Sequence, residues 1–517
     1  MSLSQMPVGK FVWENQSRDP PKHGSFLVLP NQQVLVGRDE ERNDVAFTDP
    51  VVSRCQLEIF SIVVDEQCSH PPLVFVRDRG SANGTAVNDK IIGKGVGLSP
   101  SRLLQHGDII TIGRYTHLKL VYTQLLHSPC RYALTPFQRQ EVELFRDRYV
   151  VTEQTIGDGG HAVVFLATEV ATGQHVVCKV HDTSRYAPAS KKVQRIRQEA
   201  ALLSTLDHPN ILPIKAAFET PQTIYVITEL ATGGDLFSIL LRYDQLDELQ
   251  IRAIIRQVLR AVAYIHSKGV AHRDIKPENI LCGITPCVPY RIMLSDFGDS
   301  GISADSGPER LKSAVGTKFY RPPECHGPDP SHDLSVDIWA VGMLALQLLL
   351  GYEELPGLST VVFCNQEEID AYLDMVFANL HSPASDAAGS FVRGCLTFDS
   401  AQRPSARQAF CHRWLQEPES DRKVFERLEQ DGMALWRPQK VKFPVIEMIG
   451  PVGVEPGQEG GGGRHERAHE MRGTASGYLA AKDHHSRAKV GARAFLGASS
   501  APSGPTSAAG GEERVGM

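Results

Sequence analysis

From about Ser25 to Thr123, apolar and polar positions alternate in short runs: Ser25–Pro30, Gln33–Arg38, Cys55–Val64, Leu73–Arg77 and His117–Tyr122. A period of two predicts strands with one face buried. Turn chemistry recurs between the runs, in Asp49-Pro50 and in Ser81-Ala82-Asn83-Gly84. Strands at this spacing with no helical period predict an antiparallel β-sandwich over residues 10–127. A polar linker, 128–148, leads into a different texture. From Tyr149 strands come first, and long 3.6-period patterns follow at Lys191–Leu206, Leu249–Lys268 and Ser335–Leu350. A small sheet followed by helices predicts a two-lobed α+β unit over 149–414. Periodicity fades after Arg413, so 415–449 reads as an extension. The glycine-rich stretch 450–517 reads as a disordered tail, unable to bury enough apolar surface to fold alone. No internal repeat is visible.

Bulk properties narrow the function classes. The chain has 517 residues, enough for two or three domains, and a formal net charge of −6, which gives no general attraction to nucleic acid or anionic membrane. The longest apolar stretch, Ile338–Leu350, is too short to span a bilayer and reads as a buried helix. The N-terminus lacks the pattern of a secretory signal. Of ten scattered cysteines, only Cys282 and Cys287 lie close together, with no second pair at zinc-site spacing. Reduced thiols are therefore expected.

The strongest chemical signal begins at Ile156-Gly157-Asp158-Gly159-Gly160-His161-Ala162-Val163-Val164. Glycines there would let backbone amides approach phosphate oxygens. A strand with one lysine follows, Val176-Val177-Cys178-Lys179-Val180, and then a helical pattern carrying Glu199. Ala271-His272-Arg273-Asp274-Ile275-Lys276-Pro277-Glu278-Asn279 and Asp296-Phe297-Gly298 complete the series. In this order, over Tyr149 to about Trp414, the motifs resemble the protein kinases.

The resemblance implies ATP and Mg²⁺ as cofactors. Gly157, Gly159, Ala162 (in place of the third glycine) and Val164 would cover the nucleotide, and Lys179, paired with Glu199, would hold its α/β-phosphates. Glu229 and Ala231 would offer backbone groups to adenine behind Thr228, and Asp235 would reach the ribose or a basic substrate side chain. Asp274 would orient the substrate hydroxyl and accept its proton, Lys276 would neutralise the phosphoryl group, and Asn279 and Asp296 would hold metal. Lys276 and Gly316-Thr317 follow the serine/threonine pattern. Asp235 and Glu278 favour substrates with arginine upstream. Glu324, in Pro322-Pro323-Glu324, would pair with Arg403, and Asp337 would brace the catalytic loop. Arg273 implies a phosphate in the activation segment; Ser300, Ser303, Ser306 and Ser313 are the candidates, with Ser313 first.

The front of the chain carries Leu35-Val36-Gly37-Arg38, Val52-Ser53-Arg54-Cys55-Gln56, Ser81-Ala82-Asn83-Gly84-Thr85 and Gly107-Asp108-Ile109-Ile110-Thr111-Ile112-Gly113. Together these resemble a forkhead-associated (FHA) domain, a sandwich that reads phosphothreonine with loops at one end. Arg38, Ser53 and Arg54 would hold the phosphate and Asn83 the peptide backbone. Gln56 stands where a bracing histidine is usual, and Ala82 where a serine or threonine is common.

This layout is similar to the checkpoint effector kinases of the DNA-damage response, and in its compactness to the meiosis-specific checkpoint kinases of fungi. Only Ser4-Gln5 represents a Ser/Thr-Gln site near the start. The resemblance implies a phosphothreonine-bearing adaptor, protein substrates, a homodimer on activation, no direct contact with nucleic acid or membrane, and a nuclear, or else cytoplasmic, location. The other class open to this layout is a phosphothreonine-reading scaffold with an inactive lobe, although Lys179, Asp274 and Asp296 are all present.

Overall fold

The computed structural model describes residues 7–16, 20–29, 33–62, 73–95, 97, 99, 101–113, 115–122, 133–159, 162–242, 245–283, 291–302, 320–326, 333–351, 363–380, 384–436 and 446–450. The front domain contains eleven strands among these residues: β1 (Gly9–Asn15), β2 (Lys22–Val28), β3 (Gln33–Gly37), β4 (Val45–Ala46), β5 (Leu57–Ile62), β6 (Leu73–Asp78), β7 (Thr85–Val87), β8 (Lys90–Gly93), β9 (Arg102–Leu103), β10 (Ile109–Ile112) and β11 (Thr116–Tyr122). They form two sheets, in the orders β2-β1-β11-β10-β7-β8 and β4-β3-β5-β6-β9. Phe11, Val34, Val36, Leu57, Ile59, Val74, Val76, Ile110 and Leu118 are buried between them. This is the predicted sandwich. Strand β1 lies before the alternating region and pairs with both β2 and β11.

The linker contains a helix, α1 (Pro136–Val142), started by a capping box between Thr135 and Gln138 with Pro136 at its first position. Its Val142 and the following Phe145 pack on the small-lobe sheet with Phe165, Phe218 and Tyr225. That sheet runs β12 (Tyr149–Gly159), β13 (Ala162–Glu169), β14 (His175–Asp182), then β16 (Thr223–Glu229) and β15 (Ile214–Glu219). Helix α2 (Lys191–Thr205) precedes β15 and buries Val193, Ile196, Ala200 and Leu203.

In the large lobe α3 (Leu236–Arg242) and α4 (Glu248–His266) lead to β17 (Val270–Ala271), the hairpin β18 (Ile280–Gly283) and β19 (Arg291–Leu294), and β20 (Gly301–Ile302). Helices α5 (Ser335–Leu350), α6 (Gln366–Ala378), α7 (Asp386–Cys395), α8 (Ala406–Phe410) and α9 (Arg413–Gln416) follow. Fourteen of the sixteen residues of α5 are buried, which accounts for its apolar composition all round. Among the described residues no helix is long and apolar enough to cross a membrane.

The extension after Trp414 is not featureless. Helix α10 (Glu419–Leu435) lies on α4, joined by Arg252–Asp421 at 2.6 Å, Arg256–Glu429 at 3.0 Å and Arg260–Glu429 at 2.9 Å. Phe425 is buried beneath the Arg252 and Arg256 guanidinium groups. Much of its attachment is ionic and cation–π, so apolar periodicity under-reports it. Strand β21 (Glu447–Met448) then joins the small-lobe sheet parallel to β15, and Arg148 pairs with Glu447 at 2.9 Å. The residues after 450 lie outside the described ones.

Candidate active site and phosphopeptide site

The hairpin β12–β13 sets Gly157 opposite Val164 and Gly159 opposite Ala162; the tip, 160–161, lies outside the described residues. Lys179, on β14, faces Glu199 of α2 with Nζ 3.8 Å from Oε1. Burial pushes the Glu199 carboxyl up, Lys179 opposes this, and Asp296 adds to it. Glu229 ends β16 and donates its amide to the Pro213 carbonyl, while its side chain binds Arg291 Nη1 at 2.6 Å. Its carbonyl accepts from the Thr228 hydroxyl at 3.4 Å. Asp235 caps α3, accepting from the Ser238 amide at 2.6 Å through Oδ1. Thr228 is buried beside these residues on β16.

The catalytic loop hangs on a buried carboxylate. Asp337, in the first turn of α5, accepts from the His272 amide through Oδ2 and from the Arg273 amide through Oδ1, each at 2.8 Å. His266 Nε2 lies 2.8 Å from Oδ2. Burial alone would raise the Asp337 carboxyl, but the His266 hydrogen bond, His272 and the Arg273 amide bring it below its usual value. Arg273 is held at φ +71°, a conformation disfavoured for any residue with a Cβ.

The adjacent Asp274 is gripped from two sides. Lys276 Nζ is 2.8 Å from its Oδ2, and Asn279 Nδ2 donates to the same oxygen and to the Asp274 carbonyl, each at 2.8 Å. Phe297 is buried edge-on to His272, with ring centres 4.6 Å apart. Asp296 adopts φ +60°. Arg403 receives Glu324 in a two-pronged pair at 2.6 and 2.8 Å. The residues added to the hairpin between Asn279 and Asp296 fall between Gly283 and Arg291.

Two residues of this site are silent in the motifs. Asp299, just after Gly298, binds Arg195 of α2 at 2.6 Å. Burial pushes the Asp299 carboxyl up; Arg195 and Lys276 oppose this, while Asp274 and Asp296 add to it, so these groups form one electrostatic cluster. Nothing in their spacing links residues 195 and 299 before the fold brings them together. Ser300 is described, with Oγ donating to the Phe297 carbonyl at 2.5 Å; Ser303, Ser306 and Ser313 lie outside the described residues.

At one end of the sandwich three loops meet. Arg38 follows Gly37, Ser53 and Arg54 precede β5, and Asn83 follows β6; Arg38, Arg54 and Asn83 are exposed. A Cβ on Gly37 would come within 2.3 Å of the Arg54 carbonyl oxygen, so only glycine permits this approach. The Ala82 amide donates to Ser53 Oγ at 3.0 Å, and Asn83 Nδ2 to the Val51 carbonyl at 2.8 Å. Gln56 acts as the brace. Its Oε1 accepts from the Ser53 amide at 2.9 Å, and its Nε2 donates to the Gly84 carbonyl at 3.0 Å and to Thr85 Oγ1 at 3.1 Å. Glutamine thus ties the two loops together where histidine was expected. Asn43, unnoticed in the sequence, adds donation to the carbonyls of Asp39 and Arg54, both at 2.7 Å.

A protein kinase domain model matches residues 150–415 and an FHA domain model matches residues 34–113. The chain belongs to the protein kinase family. Among its relatives, the probable serine/threonine-protein kinase fhkC of Dictyostelium discoideum is 31% identical over 409 residues, 77% of this chain and 64% of fhkC. The chain thus spans somewhat less than two thirds of that relative. The meiosis-specific serine/threonine-protein kinase mek1 of Schizosaccharomyces pombe is 27% identical over 399 residues, 74% of this chain and 81% of mek1. Human calcium/calmodulin-dependent protein kinase type 1B is 34% identical over 273 residues, 52% of this chain and 75% of that protein. This kinase is a serine/threonine protein kinase that carries an FHA sandwich in front of its catalytic domain.

Proposed function

We propose that this kinase is recruited to phosphothreonine through its FHA loops and acts as a checkpoint effector in DNA damage or meiotic recombination. The observation that carries the catalytic part is the grip on Asp274. Two donors on Oδ2, from Lys276 and Asn279, fix the carboxylate beside the strained Arg273 backbone. In this reading Asp274 orients a serine or threonine hydroxyl and takes its proton, and Lys276 lies close enough to offset charge on the transferring phosphoryl group.

The donor set suits Mg²⁺. Asn279 spends its amide nitrogen on Asp274, so its amide oxygen is the ligand atom, and Asp296 brings a carboxylate. The bound ion supplies charge neutralisation at the ATP phosphates. Lys179, held by Glu199, takes the α/β-phosphates. Asp235 and the exposed Glu278 supply negative charge for a substrate arginine.

On the reading side, Arg38, Arg54 and the Ser53 hydroxyl offer charge-assisted donors to a phosphate, with Asn83 for the peptide backbone. The name of one relative, the meiosis-specific mek1, favours a meiotic setting; a phosphorylated adaptor, a nuclear location and activation by mutual phosphorylation within a homodimer, with Ser313 the first site, complete the proposal. The test is Mg-ATP-dependent phosphorylation of a peptide library by the full chain beside Asp274→Asn. Transfer favouring upstream arginine, lost in the variant, supports the reading; equal incorporation by Asp274→Asn defeats the role of Asp274. Retention on phosphothreonine peptide that survives Arg38→Ala defeats the FHA part.

A further inference from the structure

A strand on the outside of a sandwich should alternate between buried and exposed positions. Strand β6 does not: all six residues from Leu73 to Asp78 are buried. Val74 and Val76 face the core between the sheets, so Leu73, Phe75 and Arg77 are covered from outside. On β5 the outward Glu58 and Phe60 are covered as well. The cover is the kinase small lobe. Phe60, Leu73, Phe75 and Leu103 form one buried cluster with Leu166 of β13, and Ile156 and Leu230 pack against it. Phe60 stacks on Phe75 at 5.4 Å, and Phe75 meets His175 of β14 edge-on at 6.5 Å.

The kinase residues in this cluster surround the nucleotide position. Ile156 immediately precedes Gly157, Leu166 lies two residues after Val164, and Leu230 lies between Glu229 and Ala231. On the FHA side, the covered strands carry the phosphopeptide loops at their other end: Ser53 and Arg54 lead into β5, and Ser81 to Asn83 leave β6. Two phenylalanines and two leucines left uncovered would expose roughly 400–600 Å² of apolar surface, at the upper end of the largest apolar patch on a typical soluble monomer. Docking is therefore the stable arrangement of this face.

We propose that the FHA domain forms the outer wall of the nucleotide site, with Phe60 and Phe75 as positioning residues that hold Ile156, Leu166 and Leu230 in place for adenine. ATP affinity then depends on the docked FHA domain. By linkage, if a phosphothreonine ligand alters docking and so changes nucleotide affinity by some factor, nucleotide changes phosphothreonine affinity by that same factor. The proposal rests on the protein kinase reading.

The test is equilibrium ADP binding by the full chain and by Phe75→Ala, with KM for ATP, kcat and phosphothreonine-peptide retention measured alongside. Expected is a 5- to 30-fold weaker ADP affinity and a matching rise in KM, with kcat within about twofold and peptide retention kept. ADP affinity within twofold of the unmodified chain overturns the proposal and leaves the kinase reading intact. Failure of the unmodified chain to bind ADP at all would instead defeat the kinase reading. If Phe75→Ala loses peptide retention through misfolding, hydroxyl-radical footprinting of the unmodified chain decides. Protected Phe60 and Phe75 rings support docking, and rings modified at the rate of exposed phenylalanine overturn it.

Discussion

Asp337→Asn is a nearly isosteric change with a calculable cost. The carboxylate serves three donors: the His266 ring and the His272 amide at Oδ2, and the Arg273 amide at Oδ1. An asparagine has one acceptor oxygen and one NH₂. Its better orientation keeps oxygen towards His266 and His272 and turns NH₂ towards the Arg273 amide, donor against donor. One hydrogen bond to a charged acceptor is lost, worth about 1.5–3 kcal/mol. The two remaining bonds lose their charge assistance, so a total near 3 kcal/mol is expected.

The lost bond is the one that holds Arg273 at φ +71°, a conformation costing about 1–3 kcal/mol that persists only while its surroundings enforce it. Released, the backbone relaxes and Asp274 moves with it, so kcat falls along with stability. Urea unfolding of the full chain, followed at the kinase transition, measures the first effect, and steady-state phosphorylation the second. The pH dependence has a definite sign. The folded Asp337 carboxyl lies below its usual value, so its stabilisation is present above about pH 4 and is lost as pH falls through the folded pKa. The gap between the two proteins should therefore narrow in acid. Stability within about 0.5 kcal/mol of the parent at pH 7, with unchanged kcat, would refute this account of the loop.

Gln56→Ala leaves the Ser53 amide and the Gly84 carbonyl without their brace and should cost the FHA domain about 1–3 kcal/mol, together with phosphopeptide affinity; a thermal scan with peptide titration reads both. Arg195→Ala frees Asp299 but removes a half-exposed cation, so stability should change by less than about 1 kcal/mol while kcat falls severalfold; the charge-swapped pair Arg195→Asp with Asp299→Arg should recover part of it. Acid should loosen the small lobe. Burial, with Arg102 nearby, lowers His175 to about 4, and its Nε2 is buried without a hydrogen-bond partner among the described residues. The unfolded chain takes up that proton first, so stability falls from about pH 6.5 down to about 4, by at most about 3 kcal/mol. His175→Gln should remove this contribution and leave the separate one of His208, which burial also lowers to about 4.

The catalytic motifs are legible in the sequence because each one lies within a short stretch of chain. His272 to Asn279 need only their own loop to adopt the right order, and α5 spans the predicted Ser335–Leu350. What stays hidden is pairwise and long-range. Arg195 and Asp299 are ordinary charges until α2 packs beside the residue after Gly298. Gln56 looks like a departure until its amide is seen to reach both loops, as an imidazole does elsewhere. Leu73 to Val76 read as apolar, yet alternation says only that one face is covered and does not say what covers the other. Helix α10 escaped because its contacts are made largely by arginines of α4, and charge partners leave no 3.6-residue apolar rhythm.

That helix and strand β21 together change the mechanics of the two lobes. The chain crosses from small lobe to large after Glu229 and returns between α10, on the large lobe, and β21, in the small-lobe sheet. Trp436, where the return begins, lines a pocket with Leu203, Leu206, Ile211 and Ile214, behind α2. Opening and closing around nucleotide should then carry β21 with the small lobe while α10 stays with the large one, so any change in the angle between the lobes is also a change in the separation of these two elements.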